Sequence, residues 1–217
     1  MRTFGFPEFL FILEAAKWTL ALSAIAFVGG AILGLAIALM RTSESPWARG
    51  VSTTFIQIFQ GTPLLLQLFL VFFGAPVLGL DINPWIAAGV ALILNSGAFL
   101  GEIWRGCIQA IPRGQWEAAQ ALNLRYFDRM RDVVLPQAFK IALAPTVGYL
   151  VQIIKGTSLA AIIGFTEITR AGQIINNATF QPLHVFSTVA ALYFVICWPL
   201  SLLAARMERK RARALAR

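Results

Sequence analysis

The residues of this chain best placed to do chemistry are uncharged polar side chains set inside long apolar runs. They are Gln60, Thr62, Gln67, Asn95, Ser96, Gln152, Thr157 and Ser158, joined by a single lysine, Lys155. Such groups bind by hydrogen bonding; they do not break bonds. Residues for covalent or metal chemistry are sparse. One histidine, His184, cannot supply the three or four ligands of a zinc site. Cys107 and Cys197 are too few for a disulfide framework. No Ser/His/Asp or Cys/His grouping is evident. Ile154-Lys155-Gly156-Thr157-Ser158 has the ingredients of a phosphate-binding loop in the wrong order. We therefore expect no catalytic residues, no metal and no cofactor held by this chain.

Composition says what must position these groups. Of 217 residues, 58% are apolar and only 13% are charged, and the mean hydropathy is +0.72. Soluble domains carry roughly a quarter charged residues, too many to match this chain. A bilayer core about 30 Å thick needs ~20 apolar residues per helix. Five such runs predict spans near 18–40, 51–75, 82–104, 138–165 and 185–205. The second is divided by Gly61, Pro63, Gly74 and Pro76. Residues 1–17 are expected to form an extracytoplasmic N-terminal segment. Glu8 and Glu14 balance Arg2 and Lys17 there, so no signal-peptide n-region is present. Ala26, Gly30, Gly34 and Ala38 recur every fourth residue in the first run, a pattern that lets helices approach closely.

Charge sets the expected orientation. The net charge is +8. Fourteen of the 18 basic residues fall after span one, in the connection 105–137 and its continuation to Lys140, or in the tail from Arg206. By the positive-inside rule these segments are cytoplasmic, the N-terminus is outside, and 208–217 is a basic cytoplasmic tail. Topology accounts for the charge without nucleic acid as a partner. The ten acidic residues lie near span ends or in connections, so no proton carrier is expected within the spans. Energy should then come from another subunit.

The connection between spans three and four predicts two short helices. Gln115–Leu122 is rich in helix formers, with Trp116, Ala119 and Leu122 at i, i+3, i+6 on one face. Asn123 tolerates the left-handed conformation that ends helices. A second helix, about Tyr126–Leu135, is expected to stop before Pro136. Such an element suits either docking into a partner's groove or lying on lipid headgroups.

Glu117-Ala118-Ala119, Asn123 and Val133-Val134-Leu135-Pro136 resemble the EAA loop of ABC importer permeases. The family commonly has Gly at Asn123 and often Ile at Val133. Phe59 to Leu65, Asn95 to Gly106, Ile111 to Ala119, Lys155 to Leu159 and Glu167 to Gly172 are similar to the polar amino acid subfamily, the histidine, glutamine and arginine type. That subfamily often has Asp at Gly156. The resemblance covers roughly residues 15–207. It implies an all-α membrane protein of the type I importer permease fold, with residues 18–207 as the transmembrane domain. It implies multi-pass location in the bacterial inner membrane, dimerisation with itself or a similar permease, and an extracytoplasmic solute-binding protein. Cytoplasmic ATPase subunits, which hold the ATP and magnesium, would dock on Trp116, Glu117, Ala118, Ala119, Leu122, Asn123, Leu135 and Pro136.

The polar groups named at the outset should face the bundle or a water-filled path, since they are costly in lipid. For Gln and Asn the competing reading is interhelical hydrogen bonding. Lys155 either meets a substrate carboxylate or bonds backbone carbonyls and a neighbouring subunit's gate. Glu102 and Arg105, three apart on a helix, should pair with each other. The rival to an ATP-driven importer of polar amino acids is a stand-alone channel or secondary transporter for a small polar solute.

Overall fold

The computed structural model describes residues 3–215, and the described residues form helices and turns without a strand. In chain order the helices are α1 (Phe6–Thr42), α2 (Pro46–Gly61), α3 (Leu64–Val77), α4 (Pro84–Gln109) and α5 (Arg113–Ala121). Then come α6 (Tyr126–Asp128), α7 (Leu135–Gly156), α8 (Ile168–Thr179) and α9 (Pro182–Leu215). Four helical segments are long and apolar enough to cross a membrane, five if α2 and α3 count as one broken span. Val28 and Ile32 on α1, and Phe194, Val195 and Trp198 on α9, are exposed large apolar groups, as a lipid-facing surface requires.

Helix α1 is longer than its apolar run. It starts at Phe6 because Pro7 fits a first turn and the Glu8 carboxylate accepts the Gly5 N–H at 3.0 Å. Residues 6–17, expected as a separate segment, are thus helical. The tail differs likewise: α9 continues to Leu215, since Ala, Arg, Lys and Glu all favour helix.

The α1–α4 seam holds the bundle together. Ala26, Gly30, Gly34 and Ala38 are all buried. A Cβ on Gly30 would stand 2.5 Å from Ser96 Cβ, and one on Gly34 2.9 Å from Leu100 Cβ and 3.0 Å from the Gly101 backbone nitrogen. Gly97 and Gly101 receive Leu33 and Ile37 in return. Inside lipid there is no hydrophobic drive between helices, so this backbone-level contact supplies association through dispersion. Leu22 and Ala26 of α1, Ala88 and Leu92 of α4, Leu68 of α3 and Ile153 of α7 form the adjoining core.

Two segments depart from the sequence expectation. The second span is not one rod: α2 and α3 meet at 101°, because Gly61 and Thr62 end α2 and Pro63 cannot continue it. Conversely, the helix starting at Tyr126 does not stop before Pro136. It runs through a π-helical turn, Arg129–Val134, into α7 and on through a 3-10 stretch, Thr157–Ile163. The π turn, in which the Leu135 N–H reaches the Met130 carbonyl five residues back, widens the helix just before Pro136. The proline then occupies a first-turn position of α7, where its missing N–H is tolerated. Gly164, at φ 88°, ends the rod with bonds from Gly164 N to Ala161 O and from Phe165 N to Ala160 O, both 3.1 Å.

Gly34→Leu should split the α1–α4 seam and lower the thermal stability of the detergent-solubilised protein by about 1–3 kcal/mol, the usual cost of overpacking. Gly50→Ala is the control, since a Cβ there meets nothing within 4 Å. It should be neutral or slightly stabilising.

Candidate functional site

The break in the second span creates a polar problem within the bundle. Pro63 has no N–H, so the Phe59 carbonyl four residues earlier loses its helical partner. Gln67 Nε2 donates to Phe59 O at 2.8 Å, to Thr62 O at 3.0 Å and lies 2.9 Å from Thr62 Oγ1. Asn95 Nδ2 donates to Phe59 O at 3.3 Å and to Gln67 Oε1 at 3.1 Å. Tyr149 of α7 donates to Asn95 Oδ1 at 3.5 Å and stacks on Phe99, with ring centroids 5.4 Å apart. Gln60 Nε2 reaches Ala98 O at 3.3 Å. Gln67, Asn95 and Ser96 are buried.

Four of the polar residues named from sequence, Gln60, Thr62, Gln67 and Asn95, therefore gather at the break, while Ser96 is buried in the seam against Gly30. Their bonds run mainly to backbone and to each other. The others do not join them. Thr157 is buried, its hydroxyl on Ile154 O at 2.7 Å, and Ser158 bonds Lys155 O at 2.7 Å. Gln152 and Lys155, three apart on α7, sit on an exposed face of this chain. Their side chains leave the bundle because Val151, Ile153 and Ile154 take the inward positions.

At the α5 end of the bundle the guanidinium of Arg105 forks onto both oxygens of Glu102, with Nε at 2.8 Å from Oε2, and also contacts Gln109. Nearby Arg41 donates to Thr53 Oγ1 at 2.7 Å. Helix α5 lies beside this end. Trp116 packs with Ile108, Ile111, Met130 and Val134, and Ala119 on the same helix is buried. Leu122 does not share their face: it is the C-cap and is 75% exposed. Asn123 adopts φ 55°, and the bonds Asn123 N to Gln120 O at 2.9 Å and Leu124 N to Ala119 O at 3.2 Å close the helix end. Glu117 and Ala118 point outward, as does Phe127, 68% exposed. Leu135 packs beside Met130 and Val134, while Gln137 Nε2 ties α7 back to Gln115 Oε1 at 3.1 Å.

Two polar contributors were not among the site residues expected from sequence. Tyr149 lies in an apolar run, where a hydroxyl must find a partner. Glu167 lies in the connection after α7, yet it is fully buried. It caps α8 by accepting the Arg170 N–H at 2.8 Å, and Tyr193 Oη donates to it at 2.5 Å. Burial pushes this carboxyl above its ordinary range, and the hydrogen bond from Tyr193 partly opposes that. An acidic residue just before a helix is the signal that could have found it. No group of three or more His, Cys, Asp or Glu side chains that could hold a metal occurs among the described residues.

Gln67→Leu preserves volume but strands the Phe59 and Thr62 carbonyls. We expect a loss of about 1–2 kcal/mol, the range for interhelical bonds in membranes, read from unfolding in detergent. Gln60→Leu, with one bond at stake, should cost less.

Residues 19–213 match the family described as binding-protein-dependent transport system inner membrane component. The chain is 37% identical over 206 residues to the glutamine transport system permease protein GlnP of Escherichia coli K12, covering 94% of each. It is 34% identical to a probable amino-acid ABC transporter permease protein, YckA, of Bacillus subtilis, covering 94% of this chain and 91% of that one. It is 35% identical to the L-cystine transport system permease protein TcyB of the same organism, covering 92% and 86%. Among solved structures, an amino acid ABC transporter with histidines superposes with a TM-score of 0.87 at 33% identity, covering 96% of this chain and all of that one. The MetNI methionine transporter in an inward-facing form shares the fold, with a TM-score of 0.79 at 19% identity, over 95% and 99%. Matched over most of its length in sequence and in fold, this chain belongs to the family of inner-membrane ABC importer permeases for amino acids.

Proposed function

We propose that the chain is the translocating subunit for polar amino acids, working by alternating access and powered through α5. One observation carries this reading: α5 is anchored to the rod that reaches the broken span. Gln137 bonds Gln115 of α5, and Tyr149 bonds Asn95 at the break. Tyr149 lies twelve positions beyond Gln137, about 18 Å along the helix. A push on α5 is transmitted along that rod to the point where α2 and α3 bend.

On this reading an ATPase subunit, which brings the ATP and magnesium, seats on Glu117, Leu122 and Phe127. These exposed groups leave Trp116 and Ala119 to hold α5 to the bundle. The end carrying α5 and the basic end of α9 faces the cytoplasm, following the distribution of Arg and Lys. A solute-binding protein delivers substrate at the opposite end, as the family description implies. Gln152 and Lys155 border the path formed against a second permease copy, where Lys155 meets a substrate carboxylate or that copy's backbone. The relatives named for glutamine and L-cystine, and the structure with histidines, support a polar amino acid as cargo.

The test is Glu117→Lys in the assembled transporter. Membrane insertion should be normal. Uptake should fall by about tenfold or more, the effect of losing ~1.4 kcal/mol at an interface. ATP hydrolysis should no longer respond to the loaded binding protein. Unchanged uptake in this variant would reject docking at α5.

A further inference from the structure

The outer side of α9 changes from apolar to basic while keeping one azimuth. Val195, Trp198 and Leu202 are exposed on the apolar part of the helix, and Arg206, Arg209, Lys210 and Arg213 are exposed beyond it. At about 100° per residue, Arg206, Arg209 and Arg213 fall within about 40° of Leu202, and Lys210 within about 80°. The four therefore prolong the ridge that faces lipid. The opposite side is built differently. Cys197, Ala204 and Arg211 recur every seventh residue; the first two are buried and Arg211 is partly buried. Pro145 has no N–H, which frees the Ile141 carbonyl of α7, and Arg211 Nη1 reaches that carbonyl at 3.5 Å. Glu208, the one acidic residue of α9, lies about 120° around the helix from Leu202.

Depth agrees with azimuth. From Val185 to Ala205 α9 has no charged residue, a run about 30 Å long at ~1.5 Å per residue, which matches the hydrocarbon core. Arg206 stands at the edge of that run and Arg213 roughly 10 Å beyond it. Headgroups occupy roughly 5–8 Å on each side of the core. Helical side chains lean toward the N-terminus, which in α9 is the bilayer side, so the four cationic tips come to phosphate level. None of the four is paired with a carboxylate among the described residues. Topology asks only how many basic residues lie at this end, not which face they occupy. Here four share the lipid side and the acid is kept off it.

We propose that Arg206, Arg209, Lys210 and Arg213 form a docking stripe for anionic phospholipid headgroups and hold their phosphates at the membrane surface. Guanidinium groups suit this role because they bond phosphate oxygens in pairs. Basic clusters where a membrane helix leaves the bilayer are recurrent sites for such lipids. Helix α9 packs on α7 through Cys197 beside Val151 and Ile154, so headgroup contact holds the neighbour of the rod at a set depth.

The test uses the assembled transporter in phosphatidylcholine vesicles containing phosphatidylglycerol. A trace of one lipid or the other carries a photoreactive group at the start of an acyl chain, and labelled peptides are mapped. Phosphatidylglycerol should label peptides from residues 202–213 about fivefold or more over phosphatidylcholine, the preference that one basic side chain near an anionic surface confers. Exchanging two neighbours, Glu208→Arg with Arg209→Glu, keeps composition and net charge but puts an acid into the stripe. It should bring the two lipids to within about twofold of each other, as should Arg206→Gln with Arg213→Gln. Arg211→Gln, on the opposite face, should leave the preference in place. Equal labelling by the two lipids, or an exchange that changes nothing, would reduce the basic end to a topological signal and overturn the proposal. A preference that appears only when the ATPase is left out would assign the stripe to that subunit, and overturn it equally.

Discussion

A membrane interior offers no water to an unpaired backbone carbonyl, and that constraint organises this structure. Pro63 breaks the second span and frees Phe59 O; Gln67 and Asn95, from the next helix segment and from α4, close on it. The break is affordable only because these amides are there. It places an elbow in the second span, where Gly61, Thr62 and Pro63 are exposed on this chain while the freed Phe59 carbonyl is held by Gln67 and Asn95. The polar side chains at the elbow satisfy the backbone that the break leaves open.

Around the elbow the chain alternates rigid seams and levers. The α1–α4 seam lets two backbones touch and admits no added methyl at Gly30 or Gly34 without displacement. The rod from Tyr126 to Ile163 absorbs two prolines by different means, a π turn before Pro136 and a side chain from α9 for the carbonyl that Pro145 frees. Helix α5, held by Trp116 and Ala119 and closed by left-handed Asn123, presents the other side of its surface outward. Rigid packing on one face and exposure on the other is what a transmitted push requires.

Much of this could be read from residue order. Apolar runs revealed the spans, the four-residue period revealed the seam, and Asn123 revealed the end of α5. The resemblance to importer permeases named the family. Other features needed three dimensions. Apolar runs do not report a 101° bend: Gly61 and Pro63 mark where the run is divided, not the angle at which its arms meet. Propensity rules stop a helix at Pro136, because they do not foresee a π turn. Depth along α7 puts Lys155 mid-span, but depth says nothing about azimuth, and three apolar neighbours turn it outward. Leu122 fell on the wrong side because α5 ends there. Glu167 was assigned to a connection correctly, yet a connection can fold back into the core.

The central claim is that a non-catalytic membrane bundle moves amino acids only when a separate ATPase drives it. Uptake of radiolabelled glutamine and histidine into proteoliposomes tests it most directly, with permease, ATPase and binding protein reconstituted together and then with the ATPase omitted. The account predicts accumulation that requires ATP, the ATPase and the binding protein, and no accumulation of either amino acid by the permease alone under a proton or sodium gradient. Gradient-driven accumulation by the permease alone would contradict it.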